Sequence, residues 1–328
     1  MEQRKFGNTG LAVSRLTFGC GAVGGLMTKG DARDQDRAIG WARDHGINFF
    51  DTAASYGNGV SEENLGRALN GNSDGLVIST KVGLSNDDLS DVYGAITRSL
   101  DASLARLRLD HVDIFQLHNT LGRTDFRGTL TIDQIMDAVV PAFDKLRDTG
   151  KVRFLGFTAK GAADDVHKLV SCGVFHSAQV FYNLLVPSAG EPIAATYPSD
   201  DYKLLLEAAK DHGVGAIGVR VLAGGALSGS AARHPLGMRD VTPIGSETDY
   251  VTDVKRGLAF MPLVEAGHAG SLIELAIRYV ISNPALPTTE IGLATLDELQ
   301  QATAAVNKGL LSADALAAIK QVQAGFVI

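Results

Sequence analysis

Residues 76–118 read LVISTKVGLSNDDLSDVYGAITRSLDASLARLRLDHVDIFQLH. A β-branched run at 76–80 leads into a segment, 94–107, where Ile96, Leu100, Leu104 and Leu107 recur at helical spacing; a second apolar run follows at 112–117. Two strands joined by a helix of this length lie parallel in one sheet, with the helix against its face. The same rhythm continues in both directions. Strand-like runs stand at 15–19, 47–50, 76–80, 112–117, 153–157, 177–181, 214–219 and 288–292, and further helical stripes occupy 204–212 and 271–282.

Eight strand–helix units in 328 residues, with no Pro/Gly/Ser-rich linker between them, predict the α/β class and a single (β/α)8 TIM barrel over residues 1–328 rather than a doubly wound sheet. Three pieces fall outside the eightfold rhythm. KFGNTGLAVSRL (5–16), with Gly7, Asn8 and Gly10 at its turn, predicts an N-terminal β-hairpin that closes the barrel's bottom. Ser312 opens an extra C-terminal helix with Leu316 and Ile319 inward. Residues 228–262, rich in Gly, Ser and Pro with little periodicity, read as a long loop insertion after the seventh strand.

A formal charge of −7 and no run of Lys or Arg give no general pull toward nucleic acid, so no nucleic-acid partner is expected. The N-terminal stretch is charged and no segment is apolar long enough to span a bilayer, so no membrane partner and a cytoplasmic location are expected. Cys20 and Cys172 are too few for a disulfide framework and lack metal-ligand spacing, so no metal is expected. Neither heptads nor an apolar stripe marks an oligomer.

Barrel enzymes carry their chemistry where strands end in loops on the C-terminal face. Asp51 closes the second strand, Lys81 the third and His118 the fourth, while Tyr56 stands in the loop after Asp51. Each alone suits a cap, a strand end or half-buried packing; four on one rim point to chemistry. A tyrosine titrates near pH 10 and needs a cation to stabilise its phenolate, which Lys81 supplies. A buried lysine needs a carboxylate in turn, which gives Asp51 its place. His118 can hydrogen-bond a substrate oxygen and orient it toward the phenol. The set suits proton transfer at a carbonyl or alcohol oxygen.

FDTAASYG with SEENLGRAL (50–57, 61–69), STK (79–81), DIFQLH (113–118), LRDTGKVRFLGF (146–157), QVFYNLL (179–185) and LAGGALSG (222–229), in this order, resemble the aldo-keto reductases across nearly the whole chain. The resemblance implies an NAD(P)-dependent oxidoreductase moving a hydride between a nicotinamide and a small carbonyl or alcohol substrate such as an aldehyde, ketone or aldose. Asp51, Tyr56, Lys81 and His118 would be its catalytic tetrad, with Tyr56 the general acid in reduction and the general base in oxidation. It also implies that Thr158 and Gln179 hold the nicotinamide carboxamide, that Leu222, Gly224, Gly225 and Leu227 follow the pyrophosphate, and that Gly21 and Gly292 line the cofactor cleft.

Three departures bear on specificity. Val219, Arg220, Val221 and Leu222 replace the family's tyrosine-serine-proline-leucine run, so the aromatic that stacks on nicotinamide is missing and Arg220 is free to meet phosphate or substrate. Ala294 stands where many members carry an arginine for the 2′-phosphate, and Ala302 where an asparagine meets adenine; this favours NAD(H) while NADP(H) stays open. Asn119 replaces a frequently charged residue after His118 and is assigned to substrate choice.

GCGAVG (19–24) fits G-x-G-x-x-G, but Gly25, Lys29, Gly30 and Asp31 postpone the helix to about residue 34. A dinucleotide turn needs it at once, so the loop is assigned to the barrel mouth. Two other classes stay open: a lyase or aldolase using Lys81 as a Schiff base, and a redox-quiet nicotinamide-binding module. Loops 119–131 and 186–201 are expected to wall the substrate site. Phe126, Leu185, Tyr197 and Tyr202 are candidates to face a ligand, weighed against ordinary packing.

Overall fold

The computed structural model describes residues 1–122, 128–246 and 248–326. Its strands, in chain order, are β1 (Gln3–Lys5), β2 (Ala12–Ser14), β3 (Leu16–Gly19), β4 (Phe49–Asp51), β5 (Val77–Val82), β6 (Val112–Leu117), β7 (Thr120–Leu121), β8 (Thr129–Leu130), β9 (Val152–Thr158), β10 (Ser177–Phe181), β11 (Gly215–Val219) and β12 (Thr288–Gly292). Eight of them close a parallel barrel in the order β10-β11-β12-β3-β4-β5-β6-β9. Closure is made where β12 meets β3, with Thr289 beside Leu16 and Gly292 beside Gly19. All eight expected strands are present with small shifts at their ends.

The helix Val92–Leu107 shows why the periodicity was decisive. Asp91 caps it by accepting from Gly94 N at 3.0 Å, Ile96, Leu100, Leu104 and Leu107 are buried, and Arg108 ends it in a left-handed turn at φ 59. Its apolar face joins the core between strands and helices.

Inside the barrel the strands carry an apolar lower layer and a polar upper one. Phe49, Val77, Ile114 and Ile217 make the lower layer, and Phe6, Leu11 and Val13 from the β1–β2 hairpin plug it from below. Phe6 meets Phe49 edge to face at 5.8 Å. Gly215 makes room for that ring, since a Cβ there would come within 2.8 Å of it. Toward the C-terminal ends the inward residues become Asp51, Ser79, Lys81, Gln116 and Gln179, all buried.

Residues 228–262 differ from the loop expected of them: Tyr250–Leu258 and Met261–Glu265 are helical. The first was hidden because its inner face is polar. Arg256 is buried and donates to the carbonyls of Pro198, Leu185 and Ser246, and Asp253 accepts from Ser246 Oγ at 2.8 Å. After β3 a one-turn helix spans Leu26–Lys29 and the next begins at Ala32, capped by Asp31, rather than at residue 34. Ser312 caps the last helix, Ala313–Ala324, with Ile319 buried. No helix among the described residues is long and apolar enough to cross a membrane.

Candidate active site

Strand register sets the site. Asp51 at the end of β4, Lys81 near the end of β5 and His118 directly after β6 all reach the C-terminal mouth, and the turn after β4 returns Tyr56 over them. Asp51 and Lys81 are fully buried and form an ion pair. Lys81 uses its three N–H groups on Asp51 Oδ2, Thr52 O at 2.7 Å and Tyr56 Oη at 3.1 Å. Asp51 Oδ1 accepts from Ser79 and from Gln116 Nε2 at 3.0 Å. Burial alone would lower Lys81's pKa; Asp51, with Tyr56 and Glu290, overrides it and raises it.

Tyr56 and His118 line the open cavity, their rings edge to face at 5.7 Å. Burial pushes the Tyr56 phenol up to about 12 against the opposing pull of Lys81, so the resting group is a protonated donor. Burial, then Lys81 and Lys160, pull His118 down to about 3, so the ring is neutral; Ser55 Oγ lies 3.4 Å from its Nδ1. Lys81 therefore tempers the phenol in the resting site and stands where it stabilises a phenolate, the place the sequence gives it.

The cavity is about 530 Å³ and runs from Tyr56 along β9–β12 to the helix Leu296–Asn307. Gly21, Thr158, Gln179, Arg220, Leu222, Gly224, Gly225 and Gly292 line it. Leu227 does not: it is fully buried in the core beneath the glycine loop. Gly224 and Gly225 hold φ of 68° and 110°, and a Cβ on Gly224 would reach 2.6 Å from Val241, so this wall admits no side chain. Thr158 Oγ1 donates to Gln179 Oε1 at 3.3 Å. The cavity is thus elongated, with Tyr56 and His118 at one end and the helix Leu296–Asn307 at the other.

The far end carries Ala294, Glu298, Gln301 and Ala302. Ala294 N donates to Glu298 Oε2 at 2.6 Å, which fixes a carboxylate there. Arg220 Nη1 reaches Thr242 O at 3.2 Å and lies beside Gly224. Arg233 donates to Gly224 O at 2.6 Å and Tyr250 Oη at 3.0 Å, and Met238 N donates to Val23 O at 3.2 Å. The segment 233–238 thus bridges the loops after β3 and β11.

Some expectations for the walls change. Asn119 is buried and spent on the backbone, donating to Leu84 O at 2.7 Å and Gly128 O at 3.0 Å and accepting from Leu84 N. It pins a loop rather than facing substrate. Leu185, Tyr197 and Tyr202 are buried in packing, outside the cavity lining; Phe126 lies outside the described residues. The sequence reading missed Glu290, whose carboxylate lines the mouth and accepts from Gln179 Nε2 at 2.9 Å. Its signal was present: Glu290 is two residues from the end of a barrel strand, and Lys81 is one from the end of its own.

A profile of the aldo/keto reductase family matches residues 15–324. The chain is 29% identical over 318 residues to L-galactose dehydrogenase of Arabidopsis thaliana, covering 94% of this chain and 89% of that protein. It is 30% identical to the uncharacterized oxidoreductase YrpG of Bacillus subtilis (strain 168), covering 94% and 92%. Its fold is similar to that of aldo-keto reductase AKR11C1 from Bacillus halodurans in its holo form, with a TM-score of 0.72, 23% identity, and 98% and 96% of the two chains covered. The barrel, its polar rim and these matches agree: the chain belongs to the aldo/keto reductase family, and so to the oxidoreductases.

Proposed function

We propose that the chain, acting as one barrel domain in the cytoplasm, is an NAD-dependent dehydrogenase or reductase of an aldehyde, ketone or aldose, with Tyr56 as the proton donor and acceptor. The observation that carries this reading is the Lys81–Tyr56 hydrogen bond of 3.1 Å at the floor of the cavity. Because Lys81 donates, the tyrosine oxygen accepts and its own proton is free to point at a substrate oxygen. A bound nicotinamide supplies or takes up the hydride. Tyr56 gives its proton to the nascent alkoxide in reduction, and Lys81 then faces the phenolate across the same bond. Neutral His118 holds the substrate oxygen near the phenol. In this reading Thr158 and Gln179 hold the carboxamide, while Gly224, Gly225 and Arg220 follow the pyrophosphate.

The preference for NAD is supported by the far end of the cavity, where Ala294 and Ala302 offer no cation and the Glu298 carboxylate would repel a 2′-phosphate. The Schiff-base alternative needs a neutral, free amine; Lys81 is buried, protonated and fully bonded, which weighs against it.

The test is calorimetric binding of NADH and NADPH, followed by turnover of Tyr56→Phe. NADH should bind at least about tenfold tighter. The variant should keep NADH affinity within about twofold and lose at least about a hundredfold in kcat. Tighter NADPH binding would reject the NAD assignment, and equal loss of binding and turnover would reject the role of Tyr56. Binding without turnover across a broad carbonyl panel would favour the redox-quiet module.

A further inference from the structure

The mechanism above leaves Glu290 unused, although its carboxyl is bonded to Gln179 and lines the same cavity as Tyr56 and His118. Oε2 accepts from Gln179 Nε2 at 2.9 Å, and Gln179 accepts in turn from Thr158. Oε1 lies over Gly19, where a Cβ would come within 3.0 Å of it, so a glycine on the neighbouring strand makes its space. Asp51 stands within hydrogen-bonding reach on the barrel side. The titratable groups facing Glu290 are Asp51 from β4, Lys81 from β5, Tyr56 from the loop above and Cys20 after β3. Lys81's single charge is already matched by the Asp51 ion pair. A second carboxylate therefore has no counter-ion of its own, and burial followed by Asp51 holds its pKa well above the usual range.

We propose that Glu290 is a proton site that reads the charge of the nicotinamide ring: it keeps its proton beside the neutral reduced ring and releases it beside the cationic oxidised one. The inference rests on the reading that Thr158 and Gln179 hold the nicotinamide. Glu290 is bonded to Gln179 and opens into the same cavity, so a ring placed there supplies the counter-ion that the protein withholds. Linkage is reciprocal: whatever drives the proton off also binds more tightly once it has gone. Affinity for NAD+ should rise with pH until Glu290 is ionised and then level off. Affinity for NADH should not follow it.

The test is isothermal titration calorimetry of the full chain with NAD+ and with NADH, in buffers of different ionisation enthalpy, from about pH 7 to about pH 9. NAD+ binding should release up to about one proton and NADH binding none. Tyr56→Phe should retain the release. Glu290→Gln, whose amide carbonyl still accepts from Gln179, should bind NAD+ without it. Release that is equal for both redox forms, or that survives in Glu290→Gln, overturns the proposal. Should that variant not fold, infrared difference spectra of the wild type decide, since the protonated carboxyl band must vanish on adding NAD+ and persist on adding NADH. Absence of binding heat for both nucleotides would instead overturn the nicotinamide reading itself.

Discussion

Four side chains from three strands and a loop meet because each sits at or just beyond the end of a parallel strand, and their chemistry follows from which are buried and which open. Asp51 and Lys81 are sealed; Tyr56 and His118 face the cavity. The pH behaviour can be worked out from this. His118 is pulled to about 3, far below the ordinary histidine value of 6.5, so it stays neutral throughout the range where histidines normally titrate. Its unfolded counterpart binds a proton first, so this group's contribution to stability is complete above the unfolded pKa and is lost as pH falls from there toward 3. Tyr56, pushed up to about 12, is a donor at neutral pH and a base only when deprotonated. Alcohol oxidation should therefore climb with pH through the alkaline range, carbonyl reduction should lack that rise, and neither should step near pH 6.5 through His118. Steady-state profiles of kcat/KM in both directions check this, and a step near 6.5 that His118→Asn abolishes would contradict it. These four residues were legible because strand ends can be counted. Glu290 was passed over because TTEIG had been read for its neighbours on the adenosine side rather than for its inward face.

At the scale of elements, alternation of strand and helix was readable because apolar residues repeat with two distinct periods. The helix Tyr250–Leu258 was not, since it buries Asp253 and Arg256 in a hydrogen-bond network that no hydrophobic pattern reports. It also brings Tyr250 to Arg233. Arg233 ties the glycine loop after β11 to the segment that reaches across to Val23. Arg233→Ala removes those donors while leaving Tyr56 and its partners untouched. It should weaken dinucleotide binding by about tenfold, chiefly through faster dissociation, with a much smaller change in the rate of the hydride step. Stopped-flow fluorescence on adding and chasing NADH separates the two, and an unchanged dissociation rate would show that the bridge does not retain the nucleotide.

Across the whole molecule, the eight-stranded count and the hairpin were both legible, the latter from turn residues in KFGNTG. That the hairpin acts as a plug was a matter of packing: Phe6 enters under Phe49, and Gly215 is small because of it. Phe6→Ala should cost about 3–5 kcal/mol of stability, seen as a lower Tm, while NADH affinity at temperatures well below the transition stays within about twofold. A large loss of affinity in the folded variant would mean that base and mouth are coupled. The layered interior has one more consequence. With hydrocarbon filling the lower half of the barrel, the sealed Lys81–Asp51 pair has no water beneath it to screen its dipole, which acts on the phenol through the Lys81–Tyr56 hydrogen bond. Mobile ions cannot enter that path, whereas they crowd freely around a nucleotide approaching from solvent. Adding salt should therefore change the rate at which the nucleotide is captured and leave the proton transfer at Tyr56 indifferent to it, so that ionic strength sorts the steps of one turnover by whether they happen inside or outside the barrel.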